Sequence, residues 1–165
     1  MKRSIASVAF LLATTSAATA DPGETPLSLS LGGGVAVNND DMADDFDGSH
    51  AMTSLAVGYR FRTHTEPFVT GGIGLGGHEA MFTTFGAGVR QHLALGAVEP
   101  HAQVGVYHVG DEAELGPTLG IGGGAQVRLA NRFFAGADLD YYFSRDSDEV
   151  GGLEWTLRLS LGARL

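Results

Sequence analysis

The sequence predicts an all-β fold, an eight-stranded antiparallel up-and-down transmembrane β-barrel, and three observations predict it. Apolar residues alternate with polar or glycyl ones at period two in segment after segment, the mark of strands with two unlike faces. About eight such segments, each roughly 10 to 13 residues long, follow the first 20 residues. The connectors alternate between long acidic ones and mostly shorter ones, as expected for a barrel with long outer loops and short periplasmic turns. No apolar run reaches the roughly 20 residues of a membrane-spanning helix.

In chain order, Lys2 and Arg3 precede an apolar stretch from Ile5 to Ala13, and Ala18-Thr19-Ala20 set small residues ahead of Asp21. This is the pattern of a cleaved secretory signal peptide over residues 1–20, leaving one barrel domain over residues 21–165. Cleavage removes two of the 10 basic residues and none of the 19 acidic ones, so the formal charge falls from −9 to −11. Such an acidic balance argues against nucleic acid as a partner, which calls for a concentrated positive surface. The chain has no Cys, which excludes disulfides, zinc-thiolate sites and redox thiols.

The first strand carries Leu27, Leu29, Leu31, Val35 and Val37 against Ser28, Ser30, Gly32 and Gly34. The second sets Leu55, Val57, Tyr59 and Phe61 against Ser54, Gly58, Arg60 and Arg62. A glycine-rich third follows at 67–76, then Phe85, Ala87 and Val89 against Gly86, Gly88 and Arg90, and Ala102, Val104 and Val106 against His101, Gln103 and Gly105. A sixth, again glycine-rich, covers 117–129. The seventh alternates Phe133, Ala135, Ala137, Leu139, Tyr141 and Phe143 with Phe134, Gly136, Asp138, Asp140 and Tyr142, and the eighth runs from Leu153 through Trp155, Leu157, Leu159, Leu161 and Ala163 to Leu165. The long connectors are Asn38–Ser49, Gly77–Glu79, Gly110–Gly116 and Arg145–Gly152; the shorter ones lie at His64–Glu66, Leu95–Val98 and Ala130–Asn131.

Alternation alone does not say which face meets water. Three features put the apolar face outward, in lipid. Aromatics gather near strand ends, Tyr59, Phe61 and Phe133 on the short-turn side and Tyr141, Phe143 and Trp155 on the long-loop side, as interfacial girdles do. Glycines concentrate on the polar face, which suits the crowded inside of a narrow barrel. The signal peptide delivers the chain to the compartment from which such barrels insert.

Laid out this way, residues 25–165 resemble the eight-stranded outer-membrane barrels typified by outer membrane proteins A and X and the opacity proteins. The texture of Phe133-Phe134-Ala135-Gly136-Ala137-Asp138-Leu139-Asp140-Tyr141-Tyr142 is similar to a barrel strand of that group, and the terminal strand resembles its assembly signal, although it ends in Leu165 where an aromatic is usual. The resemblance implies residence in the outer membrane of a Gram-negative bacterium, contact with outer-membrane lipid and lipopolysaccharide, and handling by the barrel assembly machinery. No peptidoglycan-binding domain is expected after the barrel.

Three sets of residues invite chemistry. Arg60, Arg90, Glu99, Asp138, Asp140 and Arg158 fall on the polar face and are expected to form an ionic network in the lumen, as the lumens of the relatives are filled; hairpin register sets Arg158 opposite Asp138 or Asp140, Glu99 opposite His92, and Arg90 opposite His101. The first outer loop, with Asp41, Asp44, Asp45 and Asp47, has the oxygen density of a divalent-cation loop, but the first and twelfth positions of an EF-hand would be Ala43 and Ser54. The outer rim holds Ser49, His50, His108, Ser144, Asp146 and Ser147 without the tight pairing of a lipid A deacylase, and the His residues show no metal-ligand spacing. The expectation is a non-enzymatic barrel without cofactor or metal, whose acidic loops meet an extracellular ligand; the alternatives are a narrow low-conductance pore and a lipid A-modifying enzyme.

Overall fold

A computed structural model describes residues 26–38, 48–75, 81–110, 116–130, 132–143 and 153–165. The expected signal peptide, the loop acids Asp41, Asp44, Asp45 and Asp47, and the rim residues Ser144, Asp146 and Ser147 lie outside the described residues. Eight strands follow one another: β1 (Leu27–Asn38), β2 (Gly48–Tyr59), β3 (Thr65–Leu75), β4 (Met81–His92), β5 (Val98–Gly110), β6 (Gly116–Arg128), β7 (Phe133–Phe143) and β8 (Leu153–Arg164). Each pairs antiparallel with its neighbours in sequence, and β1 pairs with β8, so the sheet closes with no free edge. A strand of 12 residues, rising about 3.3 Å per residue and tilted about 40°, spans about 30 Å, the thickness of a bilayer's hydrocarbon.

The short connectors draw the strand ends tight. Between β4 and β5 the chain turns through Leu95 and Val98, which bridge, and Gly96 takes φ 82° at the first central position, the geometry of a two-residue II′ hairpin. This turn centres the β4–β5 ladder so that His92 pairs with His101 and Arg90 with Gln103. The expected register, Glu99 opposite His92 and Arg90 opposite His101, is therefore corrected by two residues, and Glu99 pairs instead with Gln126 of β6. Glu66, expected in a connector, belongs to β3.

The two faces are unlike in the sense opposite to that of a water-soluble core. Outward stand Leu31, Leu55, Val69, Val106, Leu139, Leu157, Leu159 and Leu161, all exposed, and inward stand Glu66, Arg90, His92, Glu99, His101, Gln103, Asp138, Asp140 and Arg158, all buried. The aromatic residues placed on the apolar face do cluster at the ends: Tyr59 meets Phe61 edge-on at 5.2 Å, Tyr141 meets Phe143 at 5.1 Å, and Tyr141 pairs across the ladder with Trp155.

The lumen is filled. In its long-loop half, Ala36, Met52, Tyr107, Val109 and Tyr142 are buried together, with Phe68 reaching them from below. The Tyr107 ring lies in space that three glycines leave open: a Cβ on Gly86, Gly105 or Gly120 would stand 2.5, 3.0 or 2.7 Å from its ring carbons. Small residues on β4, β5 and β6 are thus what allow one tyrosine to cross the barrel.

Candidate functional site: the lumenal polar network

Below the aromatic tier, toward the short turns, polar side chains cross-link seven strands and, through Arg60, the end of the eighth. The network begins with Arg60, which follows β2 directly and sits where that strand leaves the barrel. Its guanidinium faces three acceptors: Nη1 donates to Glu99 Oε2 at 2.6 Å, Nε lies 3.4 Å from Glu66 Oε2, and Nη2 lies 3.0 Å from His92 Nδ1. His92 Nε2 stands 2.9 Å from Glu66 Oε2. Both contacts are satisfied if Nε2 carries the proton and donates to Glu66 while Nδ1 accepts from Arg60.

Glu66 is also reached by Ser28 Oγ at 2.8 Å and by Arg90 Nη1 at 3.7 Å, so one carboxylate binds β1, β3 and β4 together. Glu99 performs the same task on the other side. It accepts from Arg60, from Arg164 Nη2 at 2.6 Å and from Arg128 Nη2 at 3.1 Å, joining β5 to the ends of β2, β6 and β8. Three guanidinium groups around one carboxylate would repel one another in isolation. Glu66 and the open water beyond the half-exposed Arg128 offset that repulsion.

A second cluster sits one layer deeper. Arg90 Nε donates to Gln103 Oε1 at 2.9 Å, Gln103 Nε2 donates to Asp140 Oδ1, and Arg158 Nη2 donates to Asp140 Oδ2 at 2.5 Å. Beside it, His101 Nε2 donates to Asp138 Oδ1 at 2.6 Å. Asp138 stands opposite Arg158 in the ladder, yet the ion pair of Arg158 is made with Asp140. Arg90 lies over the Phe68 ring at 4.9 Å, and this contact couples the ionic layers to the aromatic one above.

All six residues that the sequence places in the network lie in the lumen; Arg60, Arg90, Glu99, Asp140 and Arg158 are linked through Glu66 and Gln103, whereas Asp138 is held beside them by His101. Sequence reasoning missed Glu66, the acceptor that Arg60 and Arg90 share, and also Gln103, Arg128 and Arg164. The signal for Glu66 was present: Glu66, Phe68, Thr70 and Gly72 alternate with Pro67, Val69, Gly71 and Ile73. At the long-loop end the two rim histidines stand on opposite sides of the wall. His50 is buried on the lumenal face, whereas His108 stacks on Phe85 outside, with ring centres 4.8 Å apart.

No protein-family model matches the chain, and no curated protein matches it. Solved structures do. Neisserial surface protein A superposes with a TM-score of 0.61 at 12% identity, over 87% of this chain and 99% of that one. The N-terminal β-barrel domain of Pseudomonas aeruginosa OprF gives 0.60 at 16% identity, over 85% and 98%. The attachment invasion locus protein Ail of Yersinia pestis, in complex with the heparin analogue sucrose octasulfate, gives 0.59 at 15% identity, over 85% and 97%. At these identities the likeness is one of fold, and the fold is that of the eight-stranded outer-membrane barrels.

Proposed function

We propose that the chain is an integral outer-membrane protein of a Gram-negative bacterium, delivered by a signal peptide at residues 1–20, which acts as a closed structural barrel and offers its acidic connectors to the outside. The carrying observation is the pairing of an apolar exterior with a lumen closed by cross-strand ion pairs. In water that exterior would face solvent around the whole barrel; in hydrocarbon the same side chains are at home, and the charges are kept from lipid by the wall itself.

The lumen serves as a plug. A conducting path needs continuous water, and the space is taken by Tyr107, Tyr142 and Phe68 above and by the Arg60, Glu66 and Glu99 contacts below. Its role is therefore mechanical and non-enzymatic, with lipid and lipopolysaccharide around the wall and the barrel assembly machinery as the partner in biogenesis. The connectors favour cations: a chain of formal charge −9 before cleavage does not suit a polyanion such as the one held by Ail, and Asp41, Asp44, Asp45 and Asp47 would bridge to surface ligands through divalent ions.

Cell fractionation followed by electrophoresis with and without boiling tests this directly. The expected result is recovery in the outer-membrane fraction, with a band whose mobility shifts on heating. A soluble protein indifferent to heating would overturn the assignment. Loss of an acyl chain or phosphate from lipid A in the mass spectra of producing cells, compared with deletion cells, would overturn the non-enzymatic role instead.

A further inference from the structure

The lower edge of the apolar wall is not the same all round. At the β2–β3 hairpin it is closed by the Tyr59–Phe61 aromatic pair and then by Arg62, Thr63 and His64, with Thr63 Oγ1 donating to Thr65 Oγ1 at 3.1 Å and Thr65 Oγ1 to Gln91 Oε1 at 2.8 Å. At the β4–β5 hairpin nothing closes it. From Leu93 through Val98 no side chain is polar, and all six residues are exposed. Leu95, at 68%, is the most exposed large apolar residue among the described ones. The first polar groups on either side, His92 and Glu99, are buried in the lumen. The turn does not demand this composition: only Gly96 is called for by its φ of 82°, and Ala94, Leu95 and Ala97 stand where turns in water carry Asn, Asp or Ser.

Length and continuity identify what covers it. Phe85 and His108 pair across β4 and β5 and stack outside the barrel toward the long-loop end. Ten residues below, on the same outward rows, Leu95 bridges Val98. Ten residues at about 3.3 Å each, tilted about 40°, descend about 25 Å, the height of the apolar band on an outer-membrane barrel. From Phe85 to His92, where β4 ends, the descent is only about 18 Å, so the band is complete only with the turn counted in. Between Val98 and His108 the outward row of β5 is Pro100, Ala102, Val104 and Val106, without a polar side chain. Arg128 N donates to Ala97 O at 2.9 Å and ties the turn to β6, where Val127 and Leu129 are exposed beside it. The charges fit a lipid surface as well: Arg62, Arg128 and Arg132 are exposed at this end, whereas Glu66 and Glu99, its side-chain carboxylates among the described residues, are buried. An apolar surface continuous with the wall and bordered by cations is complementary to acyl chains beneath phosphate headgroups.

We infer that the β4–β5 turn is a membrane contact: Leu93, Leu95 and Val98, with Leu129 beside them, lie among the acyl chains of the periplasmic leaflet and not in periplasmic water. The inference rests on the membrane assignment proposed above and adds to it one hairpin tip that sets how deep this side of the barrel sits.

The chain has no Cys, so a single introduced Cys carries a nitroxide label to a chosen place. Leu95→Cys, Thr63→Cys and Leu159→Cys are labelled, folded into vesicles of phosphatidylcholine and phosphatidylglycerol, and checked by the heat-dependent band shift. Collision of each label with oxygen, which concentrates in hydrocarbon, is then compared with its collision with a water-soluble nickel chelate present on both sides of the membrane. The Leu95 label is expected to favour oxygen several-fold more than the Thr63 label does and to match the Leu159 label of the outer wall. Should Leu95→Cys fail to give the band shift, Ala97→Cys reports from the same turn and is read in the same way. A turn label that favours nickel, as the Thr63 label does, would overturn the inference while the Leu159 label still upholds the barrel in lipid. Collision with neither reagent would overturn it too, since a protein surface would then cover the turn. A Leu159 label that favours nickel would instead bring down the membrane assignment.

Discussion

Asp140 takes a bond from Gln103 and an ion pair from Arg158, and all three side chains are buried. Removing one member of such a set leaves a charge without its partner, at a cost of about 3–5 kcal/mol, while replacing the pair by apolar groups of similar size costs far less. Asp140→Ala is therefore expected to destabilise the barrel by about 3–5 kcal/mol, and Asp140→Leu with Arg158→Met to recover most of that loss. Urea unfolding from vesicles, followed by the fluorescence of the single tryptophan, Trp155, measures both. The Tyr107 cradle supports a second expectation at this scale. Gly86→Ala would place a Cβ 2.5 Å from the ring and 2.7 Å from the Val106 carbonyl and is expected to cost about 1–3 kcal/mol, a loss that Tyr107→Leu relieves only in part because the carbonyl contact stays. Part of this site was legible from residue types alone. Charges at Arg158, Asp138 and Asp140 on one face of adjacent strands are forced into one lumen, whichever carboxylate is chosen. The choice of Asp140 was not legible, because it depends on where a long guanidinium reaches across the barrel, and ladder pairing does not encode that.

The strands themselves were the most legible part, since a period of two survives in β7 and β8 without interruption and the aromatic residues mark where each ends. Register was less so. Leu95-Gly96-Ala97-Val98 is a Gly-X two-residue turn, and centring the hairpin on it yields the observed pairing; a centre one residue earlier misplaces every partner along β4 and β5 by two. Glu66 falls outside the expected third segment because that segment opens at Pro67, two residues after β3 begins. Where the period is clear, depth along a strand becomes a prediction. Leu159 stands near the middle of β8 on the outer face and Leu165 at its short-turn end, and both are exposed. Leu159→Arg is expected to destabilise the barrel by about 2–4 kcal/mol in a bilayer and Leu165→Arg by about 0–1 kcal/mol. Equal costs at the two sites, in the same urea titration, would mean that the apolar band is not immersed as proposed.

For the molecule as a whole, the lumen is closed twice, by different chemistry. Tyr107 and Tyr142 meet edge-on with ring centres 5.2 Å apart and block the long-loop half, while Arg60, Glu66 and Glu99 span the short-turn half through direct contacts. Two barriers in series add as resistances: opening one leaves the rate set by the other. In planar bilayers the parent barrel is accordingly expected to show no stable openings, and so is Tyr107→Ala with Tyr142→Ala, because the ionic tier still crosses the barrel. Arg60→Ala with Glu99→Ala removes matched charges, leaves Arg90 and His92 to hold Glu66, and is likewise expected to stay closed behind the tyrosines. The fourfold variant removes both and leaves the single chain of Arg90, Gln103, Asp140 and Arg158 as the crossing that remains, and discrete openings that grow with salt concentration are expected from it alone. Conductance in either double variant would show that one tier carries the whole barrier, and steady openings in the parent would replace the plug by a pore.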